Sequence, residues 1–381
     1  MISRRRKPRP ISNMLAVCSL ALACARPSEE RALRDLEVGQ AHSAALSVHV
    51  ENGLAAVRRI NASELVLWGS APSFVFEIET PAATTLRLEL QNTLPDAELR
   101  ALTPLPQLRM LSSDAPSDAP AGTPADLPTR QAFELELPAG TSKFRMAAPD
   151  ADDHAPFRFA LLSDVQEAID TVSDIFERIN LQPKLRFLFG AGDLTQRGTP
   201  EQLERYQREL LALGIPYFTT LGNHELGTDP LLFHEYFGRG NFQFEFKGVT
   251  FTLLDSASAT LDPIVYDWLD TWLTAARDRV HVVSMHIAPI DPIGVRNGSF
   301  ASRAEAAKLL GRLAEGHVDL TVYGHIHSYY AFENAGIPAY ISGGGGAIPE
   351  RFDQIGRHFL VFDIDPQRGV LQTRRVDVDR D

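Results

Sequence analysis

Five apolar segments in the second half of the chain each end in side chains that can bind a metal ion. The segment 159–163 is followed by Asp164-Val-Gln166, and the segment 187–192 is followed by Asp193. The three other segments end in Asn223-His224-Glu225, His286 and His325-Ile-His327. Open α/β sheets bind ligands in the crevice outside the carboxyl ends of their strands, so we expect these side chains to converge. The fold must therefore bring the ends of all five segments to one place, and few folds do so.

The pattern between these segments predicts a layered α/β domain over residues 151–381. Apolar runs alternate with helical patterns after Pro156, beginning with an amphipathic stretch that contains Ile169, Val172 and Phe176. Thr199-Pro-Glu-Gln has a hydroxyl N-cap followed by proline at the first helical position, and Ser302-x-x-Glu has the capping-box pattern. We therefore expect helices to begin at both sites.

Residues 41–150 have a different organisation. Apolar residues alternate with polar ones around positions 46–50, 74–78, 86–90 and 133–137, as half-buried strands require. This predicts a small antiparallel β-sandwich before the α/β domain. Residues 112–129 are rich in Pro, Ser, Asp and Ala, which predicts an exposed loop within it. No catalytic constellation precedes residue 150, so the sequence assigns this domain no chemistry.

The N-terminus has the pattern of an export signal. A basic head precedes an apolar run of about 12 residues, shorter than the roughly 20 that span a bilayer as a helix. Leu20–Cys24 resembles the lipobox of bacterial lipoproteins, although Ala21 stands where leucine is usual; ordinary cleavage after Ala23 is the alternative. We expect a signal peptide over 1–23, a tether over 24–40, and a lipid anchor on Cys24 in the bacterial cell envelope, on the periplasmic side or at the cell surface.

Net charge narrows the choice of partner. The chain carries −12, which disfavours binding to nucleic acid through the phosphate backbone. Two divalent cations beside two aspartates would nevertheless leave a locally positive site for a small phosphorylated substrate. The oligomeric state is not predicted.

The carboxylates, carboxamides and imidazoles that follow the five apolar segments are suitable ligands for a pair of divalent cations. Together with Gly192, Gly222 and Gly324, the five blocks resemble the calcineurin-like metallophosphoesterase superfamily, in the same order and over roughly residues 157–330. The resemblance implies a layered β-sandwich flanked by helices. It also implies seven metal ligands: Asp164, Gln166, Asp193, Asn223, His286, His325 and His327.

The resemblance further implies a role for each residue. Asp164, Gln166 and His327 would hold one metal, Asn223, His286 and His325 would hold the other, and Asp193 would bridge the two. His224 would be the unligated catalytic imidazole beside the phosphate. The expected activity is hydrolysis of a phosphomonoester, phosphodiester or pyrophosphate, with a metal-bridging hydroxide attacking phosphorus.

Gln166 departs from the commoner histidine of the superfamily. Its amide oxygen makes one metal site richer in oxygen, which favours Mn²⁺ over Zn²⁺ or iron, with Mg²⁺ also possible. Two alternatives to an enzyme are a surface scaffold that retains metals without turnover and a sensor that binds nucleotides without hydrolysing them.

Overall fold

The computed structural model describes residues 27–379, apart from 113–114, 118, 228 and 295–297. The expected signal peptide and Cys24 therefore lie outside the described residues. Among the residues that are described, no helix combines the length and the apolar character needed to cross a membrane.

The described residues before position 150 contain ten strands. In chain order they are β1 (Gln40–His42), β2 (Ser47–Val50), β3 (Ala55–Ile60), β4 (Glu64–Gly69), β5 (Phe74–Thr80), β6 (Thr84–Gln91), β7 (Glu98–Ala101), β8 (Gln107–Leu111), β9 (Arg130–Leu137) and β10 (Gly140–Ala147).

These strands form two five-stranded sheets, ordered β1-β2-β5-β10-β7 and β3-β4-β6-β9-β8. Alternate residues of both sheets point into one core, where Phe76 of β5 stacks on Phe144 of β10 with ring centroids 5.2 Å apart. The sheets agree with the predicted small all-β unit, with one difference. β4 and β6 pair in parallel, whereas the sequence predicts only antiparallel neighbours. The described residues between 112 and 129 contain turns but no helix or strand.

The segment expected to be a tether is packed instead. Helix α1 (Pro27–Asp35) contains Arg31, which is fully buried and donates from Nε to Oδ2 of Asp255 over 2.6 Å. Asp35 accepts hydrogen bonds from the backbone N–H groups of Gly240 and Asn241. A charged helix would remain in water without partners, but these long-range partners allow it to be buried. The prediction of a free tether over 24–40 is therefore wrong from residue 27 onward.

Eleven strands and five α-helices follow in the part of the chain that the structure describes. The strands are β11 (Phe157–Leu162), β12 (Leu185–Ala191), β13 (Tyr217–Thr220), β14 (Phe242–Phe246), β15 (Val249–Leu254), β16 (Val280–Met285), β17 (Leu320–Tyr323), β18 (Tyr329–Asn334), β19 (Ile337–Ser342), β20 (His358–Asp365) and β21 (Gly369–Asp377). The helices are α2 (Ser173–Asn180), α3 (Pro200–Glu209), α4 (Leu232–Tyr236), α5 (Pro263–Ala276) and α6 (Arg303–Glu315).

Two sheets face each other across an aromatic core. One is ordered β13-β12-β11-β20-β21 and the other β14-β15-β16-β17-β19-β18. Phe159 of the first sheet and Phe251 of the second meet edge to face with centroids 5.5 Å apart. Residues of α2 and α3 pack on the outer side of the first sheet, and residues of α5 and α6 pack on the second. This is the layered β-sandwich flanked by helices that the sequence predicts.

The parallel strands direct their carboxyl ends to one edge of the sandwich. β11, β12 and β13 are parallel neighbours in one sheet, and β15, β16 and β17 are parallel neighbours in the other. The five segments that end in polar residues therefore finish close to one another.

The N-caps predicted for two helices are present. The side chain of Thr199 accepts from the backbone N–H of Gln202, and that of Ser302 accepts from the backbone N–H of Glu305.

Candidate metal centre

Strained backbone marks the ends of the strands that carry the candidate ligands. Asp164, Gln166, Asp193 and His325 have φ angles of 63°, 48°, 54° and 71°. Left-handed conformations are uncommon for residues other than glycine and persist only where the surroundings enforce them. Here they turn each chain sharply as it leaves its strand, so that the side chains point into the crevice.

Glycines allow the strand ends to come close together. A Cβ atom on Gly222 would lie 2.1 Å from Oδ1 of Asp193, and one on Gly324 would lie 2.8 Å from Oδ2 of Asp164. Neither distance is possible for a real side chain. The glycines before Asn223 and His325 are therefore needed because a carboxylate occupies the space beside them.

Each of three histidine rings is oriented by a hydrogen bond from its Nδ1 atom to a backbone carbonyl. The Nδ1 atoms of His286, His327 and His224 lie 2.7, 2.7 and 2.8 Å from the backbone oxygens of Ala191, Ile348 and Gln196. A carbonyl oxygen only accepts, so each Nδ1 carries the proton. The Nε2 atom is then left to face the crevice, which is how proteins orient histidine for metal binding.

The first group of candidate ligands contains Asp164, Asp193 and His327. One ligand atom from each lies within 4.8 Å of the others, and Nε2 of His327 is 3.5 Å from Oδ1 of Asp164. Gln166 joins this group, because its Nε2 lies 2.8 Å from Oδ2 of Asp193 and 3.1 Å from Nε2 of His327. Ligation through Oε1 requires a half-turn of this amide, which its planar shape permits.

The second group contains Asp193, His286 and His325, again with ligand atoms within 4.8 Å of one another. Nε2 of His286 is 3.3 Å from Oδ1 of Asp193 and 3.1 Å from Oδ1 of Asn223. The rings of His286 and His325 meet edge to face with centroids 5.1 Å apart. Asp193 belongs to both groups, as a bridging ligand must.

The candidate ligands perturb one another's pKa values. Burial lowers the pKa of His286, but the carboxylates of Asp193 and Asp164 outweigh it and raise the value to about 9. Burial raises the pKa of Asp164. Burial also acts to raise the pKa of Asp193, yet the neighbouring His286 and His224 hold it well below its usual range. Two buried carboxylates thus depend on nearby positive charge.

The donor set fits divalent cations. Asp164 and Asp193 are at most 1% exposed, and no lysine or arginine side chain among the described residues forms an ion pair with either of them. Buried carboxylates need a compensating charge. Imidazole nitrogens and carboxylate and amide oxygens arranged around them are the ligands that Mn²⁺, Zn²⁺ and iron accept.

His224 lies at the side of the cluster. Its Nε2 is 3.9 Å from Oδ2 of Asp193, and its side chain is 28% exposed, unlike that of the fully buried His286. Its backbone N–H donates to Oδ1 of Asp193. The imidazole is thus fixed beside the candidate ligands while one edge remains open to solvent.

Glu225 has a structural role that we do not predict from the sequence. This residue is 1% exposed, and its carboxylate accepts from the backbone N–H groups of Asp193, Thr195 and Gly222 over 2.9 Å each. It therefore joins the loop after β12 to the loop after β13. Its position three residues after Gly222, where a helix-capping carboxylate stands, is the available signal. Burial and the charge of Asp193 raise its pKa to about 7.

The structure brings all seven expected ligands, together with His224, into a single cluster. Their spacing follows two overlapping groups that share Asp193. What the sequence does not reveal is the supporting structure, namely Glu225 and the backbone carbonyls that orient the imidazoles. Those carbonyls belong to ordinary residues, so no sequence pattern marks them.

Comparison with known proteins finds matches in sequence for part of this chain. Residues 157–329 match the family model of the calcineurin-like phosphoesterases. A 3′,5′-cyclic-nucleotide phosphodiesterase of Nostoc sp. is 28% identical over 160 residues, which are 39% of this chain and 59% of the relative. The chain thus spans less than two thirds of the length of this curated relative.

Solved structures share the fold at low sequence identity. A purple acid phosphatase from yellow lupin (Lupinus luteus) superimposes with a TM-score of 0.50 and 14% identity, covering 81% of this chain and 73% of that one. This is more than residues 157–381 supply, so the shared fold includes N-terminal strands. A dimetal phosphatase of Danio rerio has a TM-score of 0.44 and 14% identity, covering 58% of this chain and 99% of its own. Residues 157–329 of this protein belong to the calcineurin-like phosphoesterase family.

Proposed function

We propose that this protein hydrolyses phosphate esters at two divalent cations. The observation that carries the proposal is the shared position of Asp193 in two groups of ligands, which are buried except for the partly exposed His325. The imidazoles of His286 and His327 beside Asp193 turn their Nε2 atoms to the crevice. Asp164, Gln166 and His327 would hold one cation with Asp193, and Asn223, His286 and His325 would hold the other. When bound, such a pair supplies a nucleophile at neutral pH and positive charge toward the phosphoryl oxygens.

His224 supplies the proton chemistry in this proposal. Its Nδ1–H is held by the carbonyl of Gln196, so a second proton can reside only on Nε2, the atom on the side of the cluster. A protonated Nε2 placed there can donate to the oxygen of the leaving group and stabilise charge on the phosphoryl group. The exposed edge of the ring gives substrate access to this atom.

We propose a phosphodiester as the preferred substrate and Mn²⁺ as the preferred cation. The first point is supported by the relative from Nostoc, which is a 3′,5′-cyclic-nucleotide phosphodiesterase. The second is supported by the ligand chemistry, because Gln166 adds an amide oxygen to a group that already contains two carboxylates.

The experiment is a substrate panel run with the full chain after metal removal and reloading. We expect Mn²⁺ to restore hydrolysis of bis(p-nitrophenyl) phosphate and of a cyclic nucleotide more effectively than that of p-nitrophenyl phosphate. Faster monoester hydrolysis would overturn the diester preference, and recovery with Zn²⁺ or iron but not Mn²⁺ would overturn the metal preference. Metals bound with no turnover of any ester would overturn the enzyme itself and favour a scaffold or a nucleotide sensor.

We further propose export and lipid anchoring at Cys24, supported by the basic head, the short apolar run and the sequence Leu20–Cys24. Labelling with radioactive palmitate in a bacterial host should mark the wild-type chain and not the Cys24→Ser variant. Equal labelling of both chains would refute the anchor. A chain that appears outside the cytoplasm without label would indicate ordinary cleavage instead.

A further inference from the structure

A second cleft lies between the N-terminal strands and helix α3. Its volume is about 340 Å³. Four arginines line it, of which Arg58 and Arg59 lie on β3, Arg130 begins β9 and Arg208 lies on α3. The acidic side chains in its wall are Glu89 and Glu204. A cationic cleft is unusual in a chain whose net charge is −12.

Arg130 forms a long ion pair within this cleft. Its side chain is 20% exposed, and the nearest carboxylate oxygen, on Glu89, is 3.7 Å away, beyond hydrogen-bond distance. Glu89 already accepts from Nε2 of Gln91 over 2.6 Å. Burial lowers the pKa of Arg130, and the carboxylate of Glu89 opposes this effect only in part. Buried guanidinium groups normally have hydrogen-bond acceptors.

Arg58 lies on β3, which is separated from β9 by β4 and β6 in the same sheet. Its guanidinium lies 4.1 Å from the ring centre of Tyr236 and donates to the backbone oxygen of Glu235. Burial lowers its pKa as well. A guanidinium has five N–H donors. The carbonyl of Glu235 and the side chain of Tyr236 engage some of those on Arg58, and the others can face a ligand. Arg59 is paired with Glu64 and 62% exposed, which places it at the rim.

We propose that this cleft binds a small anion carrying a phosphate group. Arg58 and Arg130 present forked N–H donors, which match tetrahedral oxyanions and can bind two oxygens at once. The volume exceeds that of a single phosphate, leaving room for a substituent. None of the seven proposed metal ligands lines the cleft, so this anion is not the substrate in its reacting position.

Contacts through helix α3 and the loop before it connect the cleft to the candidate metal centre. Gln207 of α3 lines it, and the loop before α3 contains Gln196, whose carbonyl accepts from Nδ1 of His224. Gln202, also on α3, accepts from the backbone N–H of Arg197 in the same loop. These contacts connect one wall of the cleft to the imidazole of His224.

The experiment measures binding of inorganic phosphate to the full chain by calorimetry. The Asp193→Asn variant removes the proposed metal centre, so the remaining event reports the cleft alone. We expect this event to persist in Asp193→Asn and to weaken at least ~10-fold when Arg130→Gln is added, as loss of a charged hydrogen bond predicts. Arg109→Gln is the matched control, because Arg109 is exposed and pairs with Glu134 on the same sheet.

Three results would overturn the proposal. Phosphate binding that disappears in Asp193→Asn alone would place all of it at the metal centre. Unchanged affinity after Arg130→Gln, with the fold verified by circular dichroism, would exclude the cleft. If Arg130→Gln does not fold, Arg130→Lys is used in its place, because lysine keeps the charge but lacks the forked N–H donors. If Arg130→Lys in the Asp193→Asn background bound phosphate as tightly as Asp193→Asn alone, the proposed site would again be contradicted.

Discussion

Asp193 is the residue whose replacement tests the metal arrangement most directly, because its carboxylate lies in both ligand groups. We expect Asp193→Asn to lower metal affinity at both positions and activity by at least ~100-fold, whereas Asp164→Asn should affect one position more than the other. Metal content by mass spectrometry and rates with an aryl phosphodiester measure this. Asp170→Asn, at an exposed carboxylate, is the control. Loss of a single metal in Asp193→Asn would contradict the bridging role.

Glu225 should act as a positioning residue. The Glu225→Gln substitution replaces one accepting oxygen with an amide donor that faces a backbone N–H. We expect a loss of about 2–3 kcal/mol in the free energy of unfolding and a ~10–100-fold loss in metal affinity. Urea denaturation without metal and a separate metal titration distinguish the two effects. The control variant Glu201→Gln, at an exposed position, should change neither the stability nor the metal affinity. If Glu225→Gln left both quantities at their wild-type values, Glu225 would not be a positioning residue.

Helix α1 depends on one buried ion pair. Arg31 and Asp255 are 0% and 3% exposed, so Arg31→Met leaves a carboxylate buried without its partner. We expect a loss of about 3–5 kcal/mol in the free energy of unfolding, measured by urea denaturation. Arg34→Met, on the same helix, removes a more exposed pair with Glu37 and should cost less than about 1 kcal/mol. Equal costs would show that α1 is not held by this pair.

Strand β16 contains a histidine that makes the fold sensitive to acid. Nε2 of His281 lies 2.8 Å from Oγ1 of Thr252, its Nδ1 has no partner among the described residues, and burial lowers its pKa to about 4. An unfolded histidine titrates near 6.5, so the unfolded chain binds the extra proton first as the pH falls. Stability is therefore complete above about pH 6.5 and is lost down to about pH 4.

We expect this single group to remove about 3 kcal/mol from the free energy of unfolding between those pH values. The His281→Gln variant should show a correspondingly smaller loss, measured by urea denaturation at a series of pH values. His49→Gln, at an exposed position on β2, should keep the wild-type pH dependence. A His281→Gln variant with the same acid sensitivity as wild type would contradict the assignment.

The proposed metal ligands come from both sheets of the C-terminal sandwich, so bound cations should stabilise the whole molecule. At a free concentration of 100 times the dissociation constant, binding adds about 2.7 kcal/mol to the free energy of unfolding. Chelation should therefore lower the urea midpoint, and reloading should restore it. The Asp193→Asn variant should be much less responsive to metal. A wild-type midpoint independent of metal would argue against ligation across the sheets.

Local patterns predict much of this molecule. Period-two segments indicate the N-terminal strands, and Thr199 and Ser302 indicate where two helices begin. The order of ligand-bearing strand ends identifies the cluster, because parallel strands bring their carboxyl ends to one edge.

Contacts between distant segments are not predictable in the same way. Arg31 and Asp255 are 224 residues apart, and Arg31 stands in a helix whose composition resembles an ordinary solvated surface. Strands β4 and β6 are parallel neighbours, and β5, which lies between them in the chain, belongs to the other sheet. Both features follow from tertiary packing, which no short sequence window contains.

The left-handed strand ends at Asp164, Gln166, Asp193 and His325 have a consequence for how ions arrive. The packing of the two sheets holds these turns, and ligand positions that are held by packing are preorganised for the cations. Uptake then needs no folding step, and its rate should be governed by dehydration of the ion and the half-turn of one amide. Cations that exchange water slowly should load slowly, whatever their final affinity.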